Sequence, residues 1–294
     1  MQHTVSAKRI HIGSGVFSVI NGLLLIVFAV LCLLPFLYVL AASFSQQSEL
    51  IKHTFIIFPV GFTLKNYTYV LTINPTIPRS LLVSVFVTVT GTVLNLLVTS
   101  LMAYPLAHTR MFGYKVIMPL VIFTLVFGGG MIPTYILIMK LGMLNTYWSI
   151  LLPSCVTAYN LIIFISFFKS IPKELEEASK IDGCNELRTW FQIILPVSKP
   201  LLATFTLMFA VGYWNSWFNF VLYISDSTMW PIQVALRQVM ATATGMQNDL
   251  TDYVPPSDII SYCVIIISTV PILCVYPFLQ KYFAKGMMIG SVKG

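Results

Sequence analysis

The chain has 294 residues, 57% of them hydrophobic and only 9% charged, with a mean hydropathy of +0.85. A water-solvated surface needs more charge than that, so a soluble globular protein is excluded and a polytopic membrane protein is expected. The formal net charge of +7 sits mostly in connecting segments, where it reads as membrane topology and not as a nucleic-acid surface.

Crossing the roughly 30 Å hydrocarbon core takes about 20 apolar residues in a helix. Six stretches meet that length without an Asp, Glu, Lys, Arg or His: Val16–Leu40, Ser80–Tyr104, Val116–Ile138, Ser149–Phe168, Leu201–Leu222 and Ile259–Leu279. Each is expected to be a helix, because lipid offers the backbone no hydrogen-bond partners. The expected fold is therefore an all-α membrane protein of six transmembrane helices, a single transmembrane domain over 1–294. With both termini cytoplasmic, Lys8, Arg9, Arg110, Lys115, Lys169, Lys173, Lys180, Arg188, Lys199, Lys281, Lys285 and Lys293 lie inside. Only Lys52, Lys65, Arg79, Lys140 and Arg237 lie outside, as the positive-inside rule asks.

The first stretch follows Lys8 and Arg9 and precedes Ala41-Ala42-Ser43, but it is about twice the length of a signal-peptide core, so it reads as a retained anchor. An outside loop over 41–79 leads to the second stretch, which carries Asn95. The third contains Gly128, Gly129, Gly130 and Pro133, residues that weaken or break a helix. Two readings stand there: part of an outer gate, or close packing through small residues. The fourth carries Asn160. The inside loop, 169–200, has the local signs of helix, turn, helix. Ser170 is expected to cap its start, Glu174, Glu176 and Glu177 favour the positive end of the dipole, and Gly183 suits a left-handed closing position. Asn185 is expected to cap a second short helix ending before Pro196. Leu175, Ala178 and Ile181 or Asp182 recur at helical spacing, giving a face small enough to enter a groove. On periodicity alone the loop is equally an amphipathic connector.

On the fifth stretch Trp214 and Trp217 are three apart and Asn215 and Asn219 four apart, so each pair is expected to share a face. Aromatic faces stack on sugar rings and Asn binds hydroxyls, which suggests sugar contact; packing against a partner helix answers the same pattern. Asn95 and Asn160 are weaker candidates of that kind. The outside loop 223–258 contains Trp230-Pro231 followed by Ile232, Ala235, Leu236 and Val239, an amphipathic helix pattern carrying Gln233 and Arg237. It reads either as a surface for another protein or as a lid on the bundle.

Several functions are argued against by what is missing. There is no ionisable group within any stretch, as a proton- or ion-driven carrier usually has. There is no Gly-Lys pair for a phosphate-cradling loop, and no His-Glu-x-x-His or Gly-x-Ser-x-Gly near a stretch, so the chain is expected not to be an enzyme. Of the five cysteines, Cys32, Cys155, Cys263 and Cys274 fall inside stretches and Cys184 in the inside loop, implying no disulfide framework. His3, His11, His53 and His108 are scattered over loops and read as surface histidines, with no metal site expected.

Glu177-Ala178-Ser179, then Asp182-Gly183, then Ile193-x-Leu195-Pro196 resembles the EAA signature of binding-protein-dependent ABC importer permeases, in their carbohydrate-uptake branch. Ser179 stands where that family most often has Ala. The resemblance takes in Gly128–Pro133, Trp214-Asn215-Ser216-Trp217 and the tail Lys285–Gly294, which is similar to the LplC/YtcP-like group, whose better-understood members import plant- or alga-derived oligosaccharides, often uronate-containing. It implies a bacterial inner-membrane subunit working with a second homologous permease, two cytoplasmic ATPase subunits and an external solute-binding protein. ATP and magnesium would be used by those partners, with no cofactor on this chain. Glu177, Ala178, Ser179, Asp182, Gly183, Ile193, Leu195 and Pro196 would then couple to the ATPase, and Trp230, Gln233 and Arg237 would face the binding protein. Rival readings are a permease for another solute, such as a glycerol-phosphate ester, and a secondary transporter.

Overall fold

Hydrocarbon forces each apolar stretch to satisfy its own amides and carbonyls, and coiling does so within one segment. The computed structural model describes residues 12–73, 75–108, 111–243 and 257–286, and among these every regular element is helical. In chain order the main elements are α1 (Ile12–Ser43), α2 (Thr76–Ala107), α3 (Tyr114–Val126), α4 (Met131–Lys140), α5 (Ala158–Lys169), α6 (Lys173–Ile181), the composite α7 (Glu186–Val197), α8 (Lys199–Trp214), α9 (Phe218–Tyr223), α10 (Ile232–Ala243) and α11 (Ser257–Gly286). Both chain ends, Arg110, Asp249, Asp252 and the tail motif beyond Gly286 lie outside the described residues.

Helices α1, α2 and α11 are each long and apolar enough to cross a membrane unbroken. The other three stretches are divided, which corrects the expectation of six continuous helices. Val116–Ile138 stops at Val126 and restarts at Met131. Gly128–Gly130 fill the gap, Gly130 with φ 79°, a conformation that side chains other than glycine's resist. Pro133 falls in the first turn of α4, where its missing amide costs nothing. Ser149–Phe168 becomes one turn, Trp148–Leu151, then irregular chain, then α5, whose first turn is capped by Thr157 accepting from the Asn160 amide at 3.3 Å. Leu201–Leu222 breaks between Trp214 and Phe218, at Asn215 and Ser216, residues that compete with the helical ladder.

Helix α2 is the spine. It packs against α8, α5 and α10, while α11 packs against α8, α10 and α1. The core at one end joins Phe164, Phe168, Trp190, Ile194, Phe205 and Phe209 to the C-terminal end of α2 through Ala103, Tyr104 and Leu106. Toward the other end Ile138, Ile150, Phe220, Tyr223 and Val234 gather on Val83 and Val87. Most of α1 lies exposed on the bundle, which lipid makes favourable for Leu23, Leu24, Ile26 and Phe28. Its last turn is held: buried Asn66 donates to the carbonyls of Ser43 and Ser45 at 3.2 and 3.0 Å. In the described part of the 223–258 loop, α10 lies on the bundle as a lid. Helix α10 buries Ile232, Val234 and Ala235, and the Ile232 amide donates to Ser84 Oγ at 2.8 Å.

One contact between α2 and α8 has no slack. A Cβ on Gly91 would lie 2.5 Å from the Tyr213 ring, which is buried and hydrogen-bonded. Overpacking of this kind costs about 1–3 kcal/mol. Gly91→Ala is therefore expected to lower the thermal unfolding temperature of the purified protein, and Gly91→Ala with Tyr213→Leu to recover part of the loss.

Candidate functional site

The 169–200 segment folds as two short helices braced against each other. Ser170 does not cap α6, contrary to expectation: its hydroxyl donates to the Phe167 carbonyl at 2.6 Å and closes α5 instead. Pro172, with φ −57° and ψ 131°, stands just before α6, which has Glu174 and Glu176 in its first turn. Gly183 adopts φ 77° and Asn185 caps α7 by accepting from the Arg188 amide at 2.8 Å, both as the local residues dictate. Helix α7 runs through Pro196 and does not end before it. A wide π-type turn over Trp190–Ile194 shifts the hydrogen-bond register, so the proline enters at the first turn of Leu195–Val197. The chain then bends by 82° into α8.

Ser179 was expected to share a groove-entering face with Ala178. It is 2% exposed, and its hydroxyl bonds Thr189 Oγ1 at 2.9 Å and the Glu176 carbonyl at 2.7 Å, so it ties α6 to α7. Exposed are Leu175, Ala178 and Ile181 on α6, Asp182 at its C-terminal end, and Leu187 and Phe191 on α7. Glu177 and Pro196 are exposed, Ile193 and Leu195 half-buried, and Ile194 buried in the core.

Four polar contacts here escaped the sequence reading. His108, read as a surface histidine, places Nε2 2.6 Å from Glu176 Oε2 and Nδ1 3.0 Å from the Tyr104 carbonyl. The Tyr104 hydroxyl donates to Glu186 Oε2 at 2.9 Å, and Lys180 pairs with Glu186 Oε1 at 2.9 Å. The Lys180 hydrogen bond holds the Glu186 carboxyl below its usual range, and Glu186 in turn raises the lysine. The available signal was Tyr104 and His108 at helical spacing beside an acidic loop.

The predicted path residues do not form one set. Trp214 is buried and donates from its indole to the Ser268 carbonyl at 3.0 Å, so it packs against α11. It shares no face with Trp217, because the helix breaks between them. Asn215 is exposed and bonds back to the Val211 carbonyl of its own helix. Asn219 does line a recess of roughly 260 Å³, together with Asn95, Ser154, Gly212, Tyr213 and Ser216. Asn95 donates to the Ser154 carbonyl at 2.9 Å and accepts from the Tyr213 hydroxyl at 2.9 Å. Asn160 is half-buried on α5 and does not line the recess.

Gly128, Gly129 and Gly130 are exposed, and a Cβ on any of them would meet nothing within 4 Å. Close packing thus has no counterpart among the described residues, and what the glycines produce is the break. Just before α10, Trp230 is half-buried with its indole donating to the Ile224 carbonyl at 2.9 Å, and on α10 Gln233 is half-buried. Arg237 is exposed and stacks on the Trp217 ring, 3.7 Å from its centroid.

The sequence model of the family described as binding-protein-dependent transport system inner membrane component matches residues 10–289. The chain belongs to this family. It is a multi-pass component of the bacterial inner membrane, in the permease role of an ABC importer. It is 48% identical over 274 residues to the polygalacturonan/rhamnogalacturonan transport system permease protein YtcP of Bacillus subtilis, covering 92% of this chain and 96% of that one. With protein LplC of the same organism it shares 50% identity over 282 residues, 95% of each chain. Among solved structures it superposes on a bacterial ABC transporter involved in the import of the acidic polysaccharide alginate, with a TM-score of 0.86 and 29% identity, covering 96% of this chain and 100% of that one. The fold is thus the permease fold of an ABC importer.

Space around Gly183 is open, so a side chain there is opposed by backbone strain alone. Gly183→Val is expected to cost about 1–2 kcal/mol, whereas Gly183→Asn, better suited to positive φ, costs less. Proteolysis rates at the 182–185 turn in the purified protein check this order.

Proposed function

We propose that this permease carries a uronate-containing oligosaccharide inward, as one half of a path shared with a second, homologous permease. The observation that carries the reading is similarity over nearly the whole chain to a polygalacturonan/rhamnogalacturonan permease, joined by the fold match to an alginate importer. Two cytoplasmic ATPase subunits using ATP and magnesium, and an external solute-binding protein, complete the assembly. This chain itself catalyses nothing and holds no cofactor. The chain acts as one permease domain over 1–294, crossing the membrane six times with both ends inside. That topology is supported by the twelve basic residues named above on one side against five on the other.

The recess supports a shared path. At roughly 260 Å³ it is smaller than an enclosed small-molecule site of about 300–1,000 Å³, so this chain supplies only part of a sugar-binding wall. Its amides and hydroxyls, set beside Ile150, Met208 and Phe209, suit sugar hydroxyls and apolar ring faces, and the lining offers no cation. The gap at Gly128–Gly130 serves as the outer gate, where a broken helix can bend without clash. Arg237 and Gln233 on α10 face the binding protein, and Trp230 holds that helix in place. At the inner side the exposed face of Leu175, Ala178, Ile181 and Asp182, edged by Glu177, docks on the ATPase, with Gly183 setting the angle between α6 and α7. Ile193, Leu195 and Pro196 fix the bend that carries α7 into α8.

Reconstituted with its partners in proteoliposomes, the complex is expected to take up uronate oligosaccharides only with ATP, and Asn219→Ala to reduce uptake severalfold while the subunits still co-purify. Equal uptake without ATP, or indifference to uronates, would refute the reading. Topology is checked separately in a Cys184→Ser background: Asn185→Cys is expected to resist an impermeant thiol reagent added outside whole cells and to react in inverted vesicles.

A further inference from the structure

At the inner end of α2 two residues reach the helix pair: Tyr104 in its last turn, and His108, the extended residue that ends it. The Tyr104 hydroxyl holds Glu186 on α7 and His108 holds Glu176 on α6, so each of the two short helices has one polar tie to α2. The hydrogen bonds around His108 fix its protons. Its Nδ1 faces the Tyr104 carbonyl, which can only accept, so Nδ1 carries a proton. A neutral imidazole then has a bare Nε2, and a bare nitrogen 2.6 Å from a carboxylate oxygen has nothing to share. In this arrangement the His108–Glu176 pair therefore holds a second proton and is a charge-assisted bond. Among the described residues the other ionisable groups nearby are Glu186, with Lys180 on its far oxygen, and Tyr104 itself, whose ring meets the imidazole edge-on at 5.2 Å.

Following α2 outward shows what this grip would move. The helix is continuous from Thr76 to Ala107, and at 1.5 Å per residue the 84–104 stretch spans about 30 Å, the depth of the hydrocarbon core. Asn95 on that stretch bonds both the broken fourth span and α8 at the recess, and Ser84 accepts from the first amide of α10 outside. One rigid element thus joins the inner helix pair, the recess and the outer lid by direct hydrogen bonds. The pair's other links to the bundle are chain continuity into α5 and α8 and the apolar packing of Trp190 and Ile194.

We propose that Tyr104 and His108 are positioning residues for coupling: they latch the α6–α7 pair to α2, so that displacement of the pair by the ATPase moves the recess and the lid together. This rests on α6–α7 being the ATPase dock. Without the latch the pair can tilt on its two chain connections while α2 stays behind, and hydrolysis proceeds with less transport.

The test is the number of oligosaccharide molecules moved per ATP hydrolysed by the full complex in proteoliposomes. His108→Gln is expected to lower this ratio at least fivefold, and His108→Lys, whose ammonium can still pair with Glu176, to keep it high. Tyr104→Phe should lower the ratio. Ala178→Leu, in the docking face, serves as the reference and should uncouple. Wild-type ratios for both His108→Gln and Tyr104→Phe would overturn the latch, and with Ala178→Leu still uncoupled they would leave the dock intact. If Ala178→Leu were also indifferent, the dock itself would fail. Loss of the assembled complex in both His108→Gln and His108→Lys would overturn the latch in favour of a purely structural role.

Discussion

A buried side-chain amide must be paired at both ends, and in a membrane no water stands in for a missing partner. Asn95, 3% exposed at the middle of α2, meets that demand with the Ser154 carbonyl and the Tyr213 hydroxyl. The first belongs to irregular chain in the fourth apolar stretch, where an unpaired carbonyl would cost most. The second lies across Gly91, one turn before Asn95, where only a missing Cβ admits the tyrosine ring. These two contacts place α8 and the broken fourth span on one face of α2. The recess is the space left between them.

What the sequence made legible follows from the range of each physical rule. Hydropathy located the three unbroken apolar helices, α1, α2 and α11, because burial in lipid depends on composition, and Gly183 and Asn185 were readable because left-handed turns and caps are settled within a few residues. The breaks at Pro153-Ser154 and Asn215-Ser216 were missed because a hydropathy window counts apolar carbon and is blind to which amides find partners. Pairing Trp214 with Trp217 presumed an unbroken helix, and the break sends one indole to α11 and the other beneath Arg237. Ser179 could not be oriented from its own helix, since its partner Thr189 lies on the next. The same holds for His108, whose role depends on Glu176, far along the chain.

Rigidity in the inner helix pair is local and self-supplied. Ser179 and Thr189 bond within the pair, Lys180 crosses to Glu186, and the positive-φ glycine fixes the turn. Such a unit moves as one piece, which is what a mechanical contact requires. Its unpaired face, Leu175, Ala178, Ile181, Leu187 and Phe191, is apolar and outside the bundle, where water would penalise it unless another protein covers it. Membership of the importer-permease family supplies the reason for such a face, and the 82° bend into α8 sets it across the direction of the spans.

The central claim is that the ATPase grips this chain by that face. A photo-activatable residue placed in turn at positions 175, 178, 179, 181, 187 and 189 of the assembled complex measures it directly, with crosslinked subunits separated by size. The account predicts adducts to the ATPase from 175, 178, 181 and 187, and none from 179 or 189, which point at each other. Adducts to the ATPase from 179 and 189 alone, or adducts to the second permease from the whole face, would contradict it.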